Sequence, residues 1–167
     1  MRSKELKLIT LFYSLLFISG LSVAQNSFNN NKLSLDGNWE IIFDDNNEGV
    51  EKAWHLDKNY SHHPGIRKIK VPSCWEEFEK DYEGVAFYRK KFDVPESWKG
   101  KILELKFDAS NYMTQVWLNE QVVGFHEGGY TPFSFRIDKL TKTGEENTLT
   151  VRVISPIILT NKRIDGL

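Results

Sequence analysis

From Leu33 onward, apolar and polar positions alternate in short runs bounded by turn residues, and no window of a dozen residues keeps a helical apolar period. The clearest run is Ile102 to Asp108. Leu103, Leu105 and Phe107 point to one side and Glu104, Lys106 and Asp108 to the other, as expected of a strand in a sheet with one wet face. Phe133, Phe135 and Ile137 alternate in the same way with Ser134 and Arg136, and Leu149, Val151 and Val153 with Thr148, Thr150 and Arg152. Further strands are predicted at Gly37 to Asp44, Lys68 to Pro72 and Val85 to Val94, and on the two sides of a hairpin, Thr114 to Leu118 and Gln121 to His126. About eight short strands, spaced by turns such as Pro95-Glu96-Ser97 and Gly144-Glu145-Glu146, predict an all-β, two-sheet sandwich or jelly roll rather than an α/β fold.

Between Asn46 and Arg67 the pattern lapses into a polar stretch, which predicts a surface loop; His62 and His63 belong to it and have no third metal ligand nearby. Trp39, Trp117, Phe107, Phe133 and Phe135 fall on or beside apolar strand faces and are expected in the core. Trp54 and Trp98 stand outside the alternation, near turn signals, and the pattern leaves open whether they are exposed and what they do. Asn119-Glu120 lies between two apolar runs where a two-residue hairpin turn is required, and Asn tolerates the positive φ of such a turn.

The first residues differ in kind. Arg2, Lys4 and Lys7 precede a 14-residue apolar run, Leu8 to Leu21, and Ser22-Val23-Ala24 follows with small residues suited to a signal peptidase. The run is shorter than the ~20 residues of a membrane span. Residues 1–24 are therefore expected to be a signal peptide, with export to the periplasm or the extracellular space and no membrane anchor after cleavage. Residues 25–32, with four Asn, are expected to be a flexible leader.

Cleavage would leave 19 basic against 22 acidic residues, a net charge of −3, which argues against a nucleic-acid partner. Cys74 is the only cysteine, so no disulfide framework is expected.

Six segments in register carry a family resemblance. Leu35-Asp36-Gly37-Asn38-Trp39, Val71-Pro72-Ser73-Cys74-Trp75, Phe87-Tyr88-Arg89-Lys90-Lys91-Phe92, Leu105-Lys106-Phe107-Asp108-Ala109, Val116-Trp117-Leu118-Asn119 and His126-Glu127-Gly128-Gly129-Tyr130-Thr131-Pro132-Phe133 together resemble the N-terminal sugar-binding domain of family 2 glycoside hydrolases. The last segment is especially similar to β-glucuronidases.

The resemblance covers roughly Leu33 to Pro156. It implies a galactose-binding-like jelly roll over residues 33–156 and a link to an immunoglobulin-like domain beginning at 157–167. The TIM barrel that holds two catalytic glutamates for retaining hydrolysis of a terminal β-linked sugar would lie beyond Leu167. No residue here matches either glutamate, so the chain alone is expected to be inactive, with no cofactor and no metal; its implied partners are a β-glycoside, met through the full-length enzyme, and the absent domains.

The same resemblance places the Glu127–Tyr130 loop at the barrel mouth. Glu127, Gly128, Gly129 and Tyr130 are thus candidates for substrate contact or domain docking, and Trp75 and Tyr82, set among acidic residues, are candidates for sugar stacking. Galactosidase-type members carry a sugar- and sodium-contacting aspartate where Gly128 stands, a departure that weighs against galactosidase-type recognition. A free-standing carbohydrate-binding module and a non-catalytic interaction sandwich are the alternatives.

Overall fold

The computed structural model describes residues 32–155. The expected signal peptide (1–24), the leader up to residue 31 and the segment 157–167 lie outside the described residues.

The described residues form eight strands in chain order: β1 (Gly37–Phe43), β2 (Arg67–Val71), β3 (Val85–Asp93), β4 (Glu104–Phe107), β5 (Met113–Leu118), β6 (Gln121–Glu127), β7 (Phe133–Arg136) and β8 (Glu146–Ile154). Each matches a strand predicted from the alternation, with ends shifted by at most two residues. They form a six-stranded antiparallel sheet, ordered β2-β1-β3-β8-β5-β6, and a two-stranded sheet, β4-β7. The protein is an all-β sandwich, with unequal layers.

The main core lies between the two sheets. Trp39 and Ile41 of β1, Ile69 of β2, Ala86 of β3, Val116 and Leu118 of β5, and Leu149, Val151 and Val153 of β8 meet Leu105 and Ile137 from the opposite layer. Every second residue of these strands faces inward, so period 2 alone fills this layer. At its margin Phe107 stacks on Phe133 and Phe135 meets both rings edge-on, and Gly124 on β6 lets the Phe135 ring approach to within 2.6 Å of where a Cβ would sit.

The opposite face of the large sheet is also buried, which the sequence pattern did not announce. Ile42, Val85, Phe87, Trp117 and Ile154 project outward and are covered by Trp54 and Tyr60. Both covering residues come from the polar stretch expected to be a loose surface loop. That expectation is corrected: Trp54 is 5% exposed, Tyr60 is fully buried, and the stretch contains the short helix α1 (Asp57–Tyr60). The physical reason is that a central strand such as β3, flanked by β1 and β8, has an apolar second face that must leave water, and the insertion supplies the cover.

Arg89 secures this cover. It occupies an outward-facing position of β3 yet is only 2% exposed, and all three nitrogens of its guanidinium are engaged. It donates to the Thr150 hydroxyl (3.2 Å), to the carbonyls of Trp54 (3.3 Å) and His55 (3.0 Å), and to the Asp57 carboxylate (3.0 Å), with its face 4.0 Å from the Tyr60 ring. A buried charge persists only when so paired. Burial lowers the Arg89 pKa, and burial likewise pushes the Tyr60 phenol far above its ordinary range.

The β5–β6 turn follows the prediction. Asn119 and Glu120 have φ of 51° and 68°, and Leu118 pairs with Gln121, the arrangement of a two-residue hairpin with both central residues left-handed. The Asn119 side chain also donates to Leu140 O and to Asn147 Oδ1 and accepts from Thr148 N, each at 2.8–3.0 Å.

Two predictions follow from the outer layer. Arg89→Met keeps side-chain volume but strands the Trp54 and His55 carbonyls, and should lower unfolding free energy by about 3 kcal/mol, as read by urea denaturation; a loss under ~0.5 kcal/mol would contradict the bracing role. His55 stacks on Trp117 at 5.2 Å, and burial lowers its pKa from the usual 6.5. Its neutral form therefore contributes stability above that value which is lost as pH falls below it. His55→Gln should flatten the stability–pH curve on the acid side of 6.5, where the wild-type chain loses this contribution.

Candidate functional site

The loop that leaves β6 is built by its neighbours. Gly128 adopts φ of +137°, a conformation open essentially to glycine, and donates its N–H to Tyr112 O at 3.1 Å. Gly129 is buried against the Asn111 side chain, whose Oδ1 would lie 2.6 Å from an added Cβ. The two glycines thus carry the backbone tightly over Asn111 and project Tyr130, which is 91% exposed. Glu127 is exposed at the strand end.

His126 turns inward: its ring stacks on Phe133 at 3.9 Å, so it serves the packing of the loop base. Among the described residues no cluster of three or more His, Cys, Asp or Glu is arranged to hold a metal.

Trp75 and Tyr82 lie elsewhere. Trp75 is 8% exposed and joins the main core. Tyr82 packs edge-on against Trp75 and Phe43, and its hydroxyl donates to Val85 O at 2.8 Å; burial pushes its pKa up to about 12. Both aromatics close the end of the sandwich beside β1 and β3, while Glu76, Glu77, Asp81 and Glu83 remain exposed.

Phe43, Val85, Ile154, Met113 and Glu127 follow one another across the same end of the large sheet. Tyr82 is therefore three to four strand spacings, roughly 14 to 19 Å, from the Glu127–Tyr130 loop. The structure keeps Glu127, Gly128, Gly129 and Tyr130 together and does not bring Trp75 or Tyr82 to them.

A second concavity was missed by the sequence reading. A half-open cleft of about 690 Å³ lies where α1 approaches β1, β2 and β3, lined in part by Asn38, Glu40, Asp57, Lys68, Arg89 and Lys91. Its one sequence signal is Arg89, a charged residue in register with the apolar Val85 and Phe87.

An antiparallel sandwich with function carried on its end loops is a class that serves many proteins, and the fold alone does not choose among them. Comparison does: the profile of the glycosyl hydrolases family 2 sugar binding domain matches residues 76–159, and the chain belongs to that family. It is 36% identical over 122 residues to a β-galactosidase of Thermoanaerobacter pseudethanolicus, covering 72% of this chain and 15% of that protein. It is 30% identical over 157 residues to a β-glucuronidase of Bacteroides fragilis, covering 90% of this chain and 20% of that one.

Among solved structures, the β-glucuronidase of Ruminococcus gnavus in complex with D-glucuronic acid superposes with a TM-score of 0.68 at 29% identity, over 74% of this chain and 21% of the other. The Lactobacillus rhamnosus β-glucuronidase gives 0.66 at 34% identity, again over 74% and 21%. The chain thus spans about one fifth or less of the length of these relatives.

The loop geometry makes a contrasting pair of predictions. Gly128→Ala should cost about 1–3 kcal/mol of stability through its φ, whereas Tyr130→Ala, removing a solvent-exposed ring, should stay within ~0.5 kcal/mol. Chemical denaturation of the two variants checks this, and equal losses would contradict the assignment of Tyr130 as a projecting, unburied residue.

Proposed function

We propose that this chain is the sugar-binding accessory domain of an exported, retaining β-glycosidase of glucuronidase-like specificity, whose catalytic barrel is supplied by polypeptide outside residues 1–167. The observation that carries the reading is the family match over residues 76–159, in a chain that covers 15–21% of the relatives' length. Retaining hydrolysis needs two carboxyl groups about 5 to 5.5 Å apart across one glycosidic bond, and in this reading neither comes from this chain. Its contribution is the Glu127–Tyr130 loop, whose glycine-shaped backbone and projecting Tyr130 meet the catalytic domain beside the sugar pocket. Support for glucuronidase-like specificity comes from the His126–Phe133 segment and from the solved β-glucuronidases. Support for export comes from the basic and then apolar residues 2–21 and the small residues before Gln25.

The coding sequence after Leu167 tests the proposal most cheaply: an in-frame continuation into a further β domain and a barrel is expected, and an immediate stop codon would contradict it. The purified chain should release no nitrophenol from p-nitrophenyl β-D-glucuronide. Turnover abolished by a single Glu→Gln change within residues 33–155 would overturn the division of labour.

A further inference from the structure

The segment between β4 and β5 is anchored on both sides of Asn111. On one side the fully buried Thr114 hydroxyl donates to Ser110 Oγ at 2.7 Å. On the other the Tyr112 N–H donates to Ile154 O at 3.0 Å, and Tyr112 O accepts the Gly128 N–H at 3.1 Å. Two peptide hydrogen bonds in series thus join the end of β8 to the start of the loop after β6. Both continue strand pairing, since Met113, one residue on, is paired with Ile154 and with Glu127.

Asn111 itself is exposed, so burial of its side chain does not account for its place. Its neighbour does. A Cβ added to Gly129 would meet Asn111 Oδ1 at 2.6 Å, Cγ at 3.1 Å and Cβ at 3.5 Å, so the contact runs along the whole side chain. The two glycines of the loop are therefore required for different reasons. Gly128 is demanded by its φ of +137°, whereas Gly129 has no positive φ and is small because Asn111 fills the space of a side chain. Tyr130 follows at once and is 91% exposed, so its ring packs little of its own surface and its direction is set by the backbone seated beneath it.

We propose that Asn111 is the positioning residue of the Glu127–Tyr130 loop: its side chain is the seat of Gly129, and that seat fixes where Tyr130 projects. The inference deepens the reading of this loop as the part of the chain that lies beside a sugar pocket and rests on that reading for its effect on catalysis. The seating is read from this chain alone.

Nitrogen-15 relaxation of the intact chain and kinetics of the full-length enzyme test it. Asn111→Ala should lower the order parameters of Gly129 and Tyr130 from about 0.85 to below ~0.6, with β3, β8 and the melting temperature unchanged. Asn111→Asp, of the same shape, should keep the wild-type values. Gly129→Ala should disturb the loop in the wild-type chain and be accommodated beside Asn111→Ala, where of these three atoms only Cβ at 3.5 Å remains. In the full-length enzyme Asn111→Ala should raise KM for p-nitrophenyl β-D-glucuronide about fivefold with kcat within about twofold, and Asn111→Asp should restore it. Unchanged order parameters in Asn111→Ala, or a Gly129→Ala defect that Asn111→Ala does not relieve, would overturn the seating. A loosened loop with unchanged KM would overturn its role in the site. A stop codon directly after Leu167 would instead end the accessory-domain reading and leave the seating to be decided by relaxation and the double variant, so the two proposals fail separately.

Discussion

Burying both faces of the β3–β8 ladder is the constraint on which the rest of the structure depends. Nine consecutive residue pairs, from Val85↔Ile154 to Asp93↔Glu146, join these strands at the middle of the large sheet. Val85, Phe87 and Ile154 point to one side while Ala86, Val151 and Val153 point to the other. Each large apolar side chain so placed contributes about 1.5–3 kcal/mol when removed from water. A sheet with two such faces needs two covers, and the protein builds them from different material. One is the regular pair β4-β7; the other is an irregular insertion held by the Arg89 guanidinium, by the Asp44 carboxylate on the N–H groups of Glu48 and Gly49, and by Arg152 on Asn47 Oδ1.

That difference explains what was legible in the sequence. Strands with one packed face, such as Leu103-Leu105-Phe107, announce themselves by alternation, and all eight strands were placed within two residues. The Asn119-Glu120 turn was legible for the same local reason. The role of residues 47–66 was not, because Trp54 and Tyr60 are spaced among polar residues without a period and their burial is decided by distant partners: Phe87 at 5.4 Å from Trp54, and Arg89 beneath Tyr60. No local pattern encodes a contact across more than 25 residues of chain.

The candidate site divides along the same line. The Gly128-Gly129 pair was readable because tight backbone paths demand glycine, and the structure keeps Glu127 through Tyr130 on one loop. Trp75 and Tyr82 were read from composition, an aromatic among acids, and composition does not distinguish a ring that stacks on sugar from a ring that seals a core. Their packing on Phe43 and on each other assigns them to the sandwich end.

The account stands on the insertion being an integral layer braced by Arg89, since both the buried outer face and the cleft beside α1 exist only if it is. Amide hydrogen exchange on the intact chain measures this directly, through the N–H groups of Trp54 and Tyr60, bonded to Gly49 O at 2.8 Å and Leu56 O at 3.0 Å. Protection of these two amides within about tenfold of that in β3 and β8 is the predicted result. Exchange at the rate of an unstructured loop, while β3 and β8 stay protected, would contradict it.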